Sequence, residues 1–461
     1  MYEDTIAAIS TPPGEGGIGI VRISGKEAFA VGRKLFKFTG KVQEPESHRL
    51  YYGHILDPGE GGIVDEALAA FMRAPRTYTR EDVVEINCHG GIVPLARTLQ
   101  IVLAAGARLA EPGEFTRRAF INGRIDLAQA EAVIQVIRAK TETAMKLGVA
   151  QLKGRLSRQL REIRRKVVAV LSHIEASVDF PEHQDVEDMA REKAAVIIEA
   201  ALRQTGTLLD TADQGRIMRE GLRTAIAGRP NVGKSSLLNA LLQEQRAIVT
   251  SIPGTTRDVI EESLNIGGLS LTVLDTAGIR KARSRIEKIG VERSLEAIKE
   301  ADLVLLVIDA RKGLTGEDGD IMKPAGTKPV IVVANKTDLL ADPGPDQAGL
   351  AEKIPAHPVV FTSLYQNRGL DTLAETIKSQ LFSGRIPAGE QVMVTTVRHK
   401  EALRRTRESL AAARESLAAG MDLDVLAIDL YDAADSLGEI TGETARADVV
   451  EEIFKSFCIG K

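Results

Sequence analysis

Leu222-Arg-Thr-Ala-Ile-Ala-Gly228-Arg229-Pro230-Asn231-Val232-Gly233-Lys234-Ser235-Ser236 places a strand-like apolar run directly before a glycine-framed loop, and an apolar helical run follows. This is the G-x-x-x-x-G-K-S pattern in its strand, loop and helix setting. The glycines let backbone N–H groups converge on phosphate oxygens, and the helix start favours anions. Lys234 then reaches the β- and γ-phosphates, and the Ser235 hydroxyl suits magnesium (Mg2+). The stretch predicts an α/β domain with a mostly parallel sheet that binds a nucleoside triphosphate.

Downstream, Leu271-Thr-Val-Leu274 reads as a strand ending at Asp275-Thr276-Ala277-Gly278. Asp275 is placed to hold a magnesium-bound water and the Gly278 N–H to sense the γ-phosphate. Between the two motifs lie Thr250, Ser251, Ile252, Pro253, Gly254, Thr255 and Thr256, in which Thr256 suits magnesium and the segment reads as a switch loop. The continuous apolar runs Asp302 to Ile308 and Pro329 to Ala334 predict buried parallel strands. The second ends in Asn335-Lys336-Thr337-Asp338. The Asp338 carboxylate accepts from guanine N1–H and the exocyclic amine, whereas adenine offers an acceptor and no amine there, so GTP is selected over ATP. Ser363, after Val359-Val-Phe361, falls where the last base-contacting loop belongs, although Leu364 stands where such GTPases usually carry alanine.

Around this core, 461 residues imply about two to four domains. Sixty basic against 64 acidic residues, a net charge of -4, give no global case for nucleic acid or anionic membrane. Two cysteines, Cys88 and Cys458, do not make a disulfide scaffold or zinc module. With no signal peptide and no apolar run of about 18 residues, the expectation is a soluble cytoplasmic protein without a membrane partner.

Residues 1–118 mix short β-branched runs such as Ile18 to Ile23 and Val83 to Ile86 with glycine and proline, predicting a small α+β domain. Leu152, Leu156, Leu160, Ile163, Val167, Leu171, Ile174 and Val178 recur at helical spacing up to Pro181, within a helical segment over 119–216. The α/β domain takes 217–381, and helix returns over 382–461. There Leu403, Leu410 and Leu417 lie seven apart and Leu423, Leu426, Leu430 and Ala434 continue the row. The economical arrangement packs the two helical segments together around an inserted α/β domain. The basic run Arg155 to Lys166 reads as a solvated helix face, and His89, beside Gly90-Gly91, as a turn residue.

The whole chain resembles the tRNA-modification GTPase family called MnmE or TrmE. The matching stretches are Thr11-Pro-Pro-Gly, Glu81-Asp-Val-Val-Glu85 with His89-Gly-Gly91, Pro112-Gly-Glu-Phe115, Arg118-Ala-Phe, Asp126-Leu-Ala-Gln-Ala-Glu131, the two loop motifs above and the terminal Phe457-Cys-Ile-Gly-Lys461. The resemblance implies an N-terminal domain that dimerises and binds a tetrahydrofolate derivative (5-formyl- or methylene-tetrahydrofolate). It also implies a helical domain built from two separated segments, with the GTPase domain inserted between them. Such an enzyme works with an FAD-dependent partner of the MnmG or GidA type to install an aminomethyl-type (carboxymethylaminomethyl) group at carbon 5 of the wobble uridine of certain tRNAs. Where many GTPases carry a water-orienting glutamine this chain has Ile279. Family members with that replacement use potassium and a glutamate further along, here Glu287, as catalytic group beside Lys234. The implied potassium ligands are the Asn231 side chain and carbonyls around Thr250, Ile252 and Thr255, and the implied folate residues are Arg22, Glu85, Arg124 and Lys461. A ribosome-assembly GTPase of the Era-like group and a nucleotide-controlled scaffold with negligible turnover share the core motifs. The former normally carries an RNA-binding appendage or a second GTPase domain, and measured turnover separates out the latter.

Overall fold

The structure is a computed structural model that describes residues 3–59, 61–179, 184–244, 262–274, 295–341, 343–382 and 392–461. The chain forms two compact units, one from Met1–Ile134, Leu152–Ala190 and Asp422–Lys461, the other from Gln135–Gln151 and Arg191–Met421.

In the first unit, β1 (Ile6–Ile9), β2 (Gly16–Ser24), β3 (Phe36–Phe38), β4 (Arg49–Leu56), β5 (Ile63–Met72), β6 (Val83–Gly90) and β7 (Arg108–Leu109) form one sheet. Its order is β3-β4-β5-β6-β2-β1-β7. Alternate residues Val21, Ile23, Ala67, Ala69, Phe71, Val84 and Ile86 face a core shared with Val31, Leu35, Leu95, Ile101 and Val102 of two covering helices. The sequence runs read as strands fall in β2 and β6. His89, expected in a turn, instead lies in β6 and pairs with Asp65 at 2.7 Å, because the strand pairing with β2 runs on to Gly90.

A buried ion network closes the end of this unit. Arg118, fully buried, reaches Asp4 at 2.8 Å, Glu114 at 3.0 Å and Glu81 at 3.2 Å, and Arg108 reaches Glu114 at 2.7 Å. Such charges are tolerable inside only because each is paired and hydrogen-bonded. Nearby, Phe454 and Phe457 from the C-terminal end fill a cluster with Ala119, Ile125, Leu127, Ala130 and Ile134.

The helices Arg155–Asp179 and Leu423–Thr441 pack antiparallel in the same unit: Arg164 Nε donates to the Ala434 carbonyl at 3.1 Å, and Tyr431 donates to Glu175. Leu156, Leu160, Ile163, Val167, Leu171 and Ile174 are buried, as are Leu426, Leu430, Ala433 and Leu437. Each buried side chain of this size contributes roughly 1.5–3 kcal/mol. These helices flank the α/β segment in sequence, so that segment is an insertion, as the helical periodicity predicts. Two stripes need correction. Leu152 ends a separate helix, Glu142–Leu152, because Gly154 turns the chain at φ 74°. Likewise Leu403 and Leu410 lie on Val397–Ala418, but Gly420 at φ 68° breaks the chain before Leu423. The basic run is not merely solvated: Arg161 reaches Asp126 at 2.7 Å and Arg164 reaches Glu443 at 2.9 Å.

The second unit holds β8 (Leu222–Ala227), β9 (Glu262–Ile266), β10 (Leu269–Leu274), β11 (Leu303–Asp309), β12 (Val330–Asn335) and β13 (Val359–Phe361). Their order is β13-β12-β11-β8-β10-β9, parallel throughout except for the β9/β10 pair. Leu303, Leu305 and Val307 face one core with Leu237, Leu241, Leu373 and Ile377. Val304, Leu306 and Ile308 face the other with Ile298, Leu350 and Ile354. Burial on both faces explains why these strands read as unbroken apolar runs. Among the described residues no helix is long and apolar enough to cross a membrane.

Candidate functional site

The carboxyl end of β8 turns through a loop whose shape is set by two glycines and one asparagine. Gly228 (φ 140°) and Gly233 (φ 111°) could not carry a Cβ, which would lie 2.3 Å from the Val307 carbonyl oxygen and 2.3 Å from the Asn335 amide. Asn231 takes φ 65°, a conformation asparagine tolerates better than most residues. Val232 is buried, and Lys234 starts the helix Lys234–Glu244, which puts Ser235 and Ser236 in its first turn. Lys234 Nζ lies over the loop, donating to the carbonyls of Gly228 at 2.5 Å and Arg229 at 2.8 Å. Burial pushes its pKa down. A desolvated cation at a helix N-terminus favours an anion, and the close fit of the two glycines matches a phosphate cradle.

The segment Asn335-Lys-Thr-Asp338 leaves the carboxyl end of β12, two strands from β8. Asn335 is buried and donates to the Val232 carbonyl at 3.0 Å, while its Oδ1 accepts from Leu364 N at 3.3 Å. Lys336 (φ 68°) donates from Nζ to the Asn231 carbonyl at 2.8 Å and to Asp309 Oδ2 at 3.0 Å. Ser363 donates its hydroxyl to Asp338 Oδ1 at 2.6 Å. The serine loop therefore orients the Asp338 carboxylate, and Leu364 supplies its backbone N–H in the place where alanine is usual. Asn231, Val232, Gly233, Lys234, Ser235, Ser236, Asn335, Lys336, Asp338 and Ser363 thus all lie at or follow the carboxyl ends of β8, β12 and β13, the strand ends where open α/β sheets bind ligands. Thr250, Ser251, Ile252, Pro253, Gly254, Thr255, Thr256, Asp275, Thr276, Ala277, Gly278 and Glu287 lie outside the described residues.

Sequence reading missed Asp309. Hydrogen bonds from Arg311 oppose the desolvation of its carboxyl and, with Lys336, hold its pKa far below the usual carboxylate range. The signal was a polar residue closing an apolar run at the carboxyl end of a parallel strand.

A second constellation lies on the outer face of the first unit's sheet. Arg22 on β2 stands opposite Glu85 on β6 and donates to it at 2.7 Å. Its Nη1 donates to the Gly460 carbonyl at 3.4 Å, which places Lys461, the next residue, beside the pair. The Arg22 and Arg124 guanidiniums lie 5.6 and 4.7 Å from the ring centre of Tyr78. Tyr78 and Phe115, also 5.6 Å from Arg22, escaped the sequence reading because aromatic residues carry no spacing signal. Paired charges around an aromatic face fit a pterin-like ring with an anionic tail. Cys458 is exposed and Cys88 buried, both as free thiols.

Comparison with known proteins places both constellations in one family. The family model of the MnmE helical domain matches residues 127–458, and that of the GTP-binding protein TrmE N-terminus matches residues 5–124. The tRNA modification GTPase MnmE of Geobacillus thermodenitrificans is 51% identical over 99% of this chain and 99% of its own. The protein of the same name from Bacillus subtilis is 47% identical over 99% of this chain and 100% of its own. A crystal structure of Aquifex aeolicus Era bound to GDP.AlF4- covers 40% of this chain and 65% of its own at 28% identity and a TM-score of 0.27, a likeness confined to part of the molecule. With both family models matched and about half of all positions identical to full-length relatives, the chain belongs to the tRNA modification GTPase MnmE family.

Proposed function

We propose that the protein is a potassium-activated, homodimeric, cytoplasmic GTPase. With an FAD-dependent partner of the MnmG or GidA type, it adds an aminomethyl-type group to carbon 5 of the wobble uridine of certain tRNAs. The observation that carries the GTPase reading is the bracing of the phosphate loop by Asn335 and Lys336, which fixes the distance between triphosphate and guanine recognition. Lys234 binds the β- and γ-phosphates, Asp338 reads the base, and Glu287 takes the proton of the attacking water. Ser235 and Thr256 are the magnesium ligands, and Asn231 with the carbonyls of Thr250, Ile252 and Thr255 the potassium ligands. These two ions, when bound, supply positive charge at the phosphate oxygens.

Arg22, Glu85, Arg124 and Lys461 form the folate site, whose ligand supplies the one-carbon unit when bound. The dimer contact is the outer sheet face of the first unit. There Tyr52 pairs with Leu68, Leu68 with Asn87 and Asn87 with Ile20 across four strands, and Tyr52 and Leu68 are 47% and 37% exposed. Exposed Tyr52 and Leu68 on a sheet face favour a protein contact. The domains run 1–118, 119–216, 217–381 and 382–461.

The deciding experiment compares GTP hydrolysis in potassium and in sodium at matched ionic strength, then adds partner, tRNA, folate and an amine source. Strong potassium stimulation followed by modified uridine is the expected result. Turnover without modification would favour an assembly GTPase, and binding without turnover a scaffold.

A further inference from the structure

The phosphate loop has a second brace, outside the guanine-reading segment. Arg229, the loop's second residue, donates from Nε to Asp318 Oδ1 at 3.0 Å. Asp318 is 0% exposed and the Arg229 side chain 17%. The aspartate is itself fixed. It is the third residue of the helix Gly316–Met322, and its Oδ2 accepts from the backbone N–H and hydroxyl of Thr315 at 3.0 and 2.9 Å, closing a capping box. One oxygen thus serves the helix and the other serves the loop. Among the described residues Arg229 Nη2 is buried without a hydrogen-bond partner, which leaves the Nε bond to place the guanidinium. The Arg229 carbonyl in turn accepts from Lys234 Nζ at 2.8 Å, so the position of Arg229 bears directly on the phosphate-binding lysine.

We infer that Asp318 is a positioning residue for GTP: acting through Arg229, it holds the first half of the phosphate loop so that the loop's N–H groups and Lys234 converge on the triphosphate. A buried carboxylate suits this task because its bond to a guanidinium is charge-assisted and directional. The loop is then organised before nucleotide arrives, so the ordering cost falls on folding and not on binding.

The inference rests on the GTPase reading and is tested on the full-length protein by calorimetric titration with GDP, each variant being melted in parallel. Asp318→Asn and Arg229→Gln are each expected to weaken GDP binding by about tenfold or more, the loss of one buried charge-assisted bond. The double variant is expected to bind no worse than the weaker single one, because both break the same contact. Arg229→Lys, which keeps the charge, should recover much of the affinity lost in Arg229→Gln. Thr315→Ala, which removes the hydroxyl bond to Asp318 Oδ2 but keeps the Thr315 backbone N–H on that oxygen and the Arg229 bond on the other, should lower the melting temperature and leave GDP affinity within about twofold. A purely structural role predicts the opposite pattern, with melting temperature falling in Asp318→Asn and affinity unmoved, and that result overturns the inference. So do losses that multiply in the double variant. Should Asp318→Asn fail to melt cooperatively, the Arg229→Gln and Arg229→Lys pair decides. If the wild-type protein itself does not bind GDP, the GTPase reading fails instead.

Discussion

Asn335 donates its side-chain amide to the carbonyl oxygen of Val232 across 103 positions of sequence, so the first residue after the apolar run of β12 is also a strut of the glycine-framed loop after β8. Asn335→Ala leaves a buried carbonyl short of a donor, at a cost of roughly 1–3 kcal/mol. It should lower both the melting temperature and GDP affinity, read by thermal denaturation and titration.

Base choice is the role proposed for Asp338. Asn in its place keeps an acceptor for N1–H but turns a donor toward the position of the exocyclic amine, where xanthine carries a carbonyl. Asp338→Asn is expected to lose at least about a hundredfold in GTP affinity and to gain affinity for xanthosine triphosphate, on the scale of discrimination by buried polar groups. Competition between the two nucleotides measures it.

The ion network of the first unit gives a pH dependence. Burial pushes the Glu114 carboxyl upward, but hydrogen bonds from Arg108, the Glu111 N–H and Arg118 outweigh it, and the net pKa is lowered. A carboxyl depressed in the folded state contributes stability that is present above its unfolded value, about 4.3, and lost as pH falls through the folded one. Acid titration of the melting temperature should show the wild type weakening below about pH 4. Glu114→Gln, less stable at neutral pH by about 3–5 kcal/mol for a broken buried pair, should show a shallower decline.

Much of the second unit was legible because its strands are buried on both faces and its loop residues follow a fixed spacing. Leu222 to Ala227 matches β8 residue for residue. What escaped reading depends on partners remote in sequence: Lys336 on Asn231 and Arg229 on Asp318. In the first unit the strand order could not be read, since seven strands with half-exposed faces permit many pairings. Helix stripes were over-extended for a local reason, because leucine spacing continues through Gly154 and Gly420 while the backbone turns there.

Leu430, fully buried between the two antiparallel helices, tests the insertion. Leu430→Ala should cost about 2–5 kcal/mol. Because that loss falls in the first unit, GDP affinity is expected to stay at the wild-type value while the melting transition moves down.

Tyr78 tests the second constellation. Its ring faces both Arg22 and Arg124, and its hydroxyl bonds Thr116 at 2.8 Å. Tyr78→Phe should retain binding of 5-formyl-tetrahydrofolate. Tyr78→Ala should weaken it by up to about tenfold, the share of an aromatic face partly withdrawn from water. Calorimetric titration separates the two variants.

The interleaved connectivity also dictates an order of manufacture. The strands β8 to β13 are all synthesised by residue 361, whereas the first unit still awaits Leu423–Thr441 and the phenylalanines Phe454 and Phe457 that complete its core. As the chain emerges from the ribosome, N-terminal end first, the nucleotide-binding sheet has its full complement of strands while the unit that began synthesis is unfinished. A premature stop between Leu423 and Phe454 would therefore spare every residue proposed for the GTP site and leave the opening domain without its closing pieces.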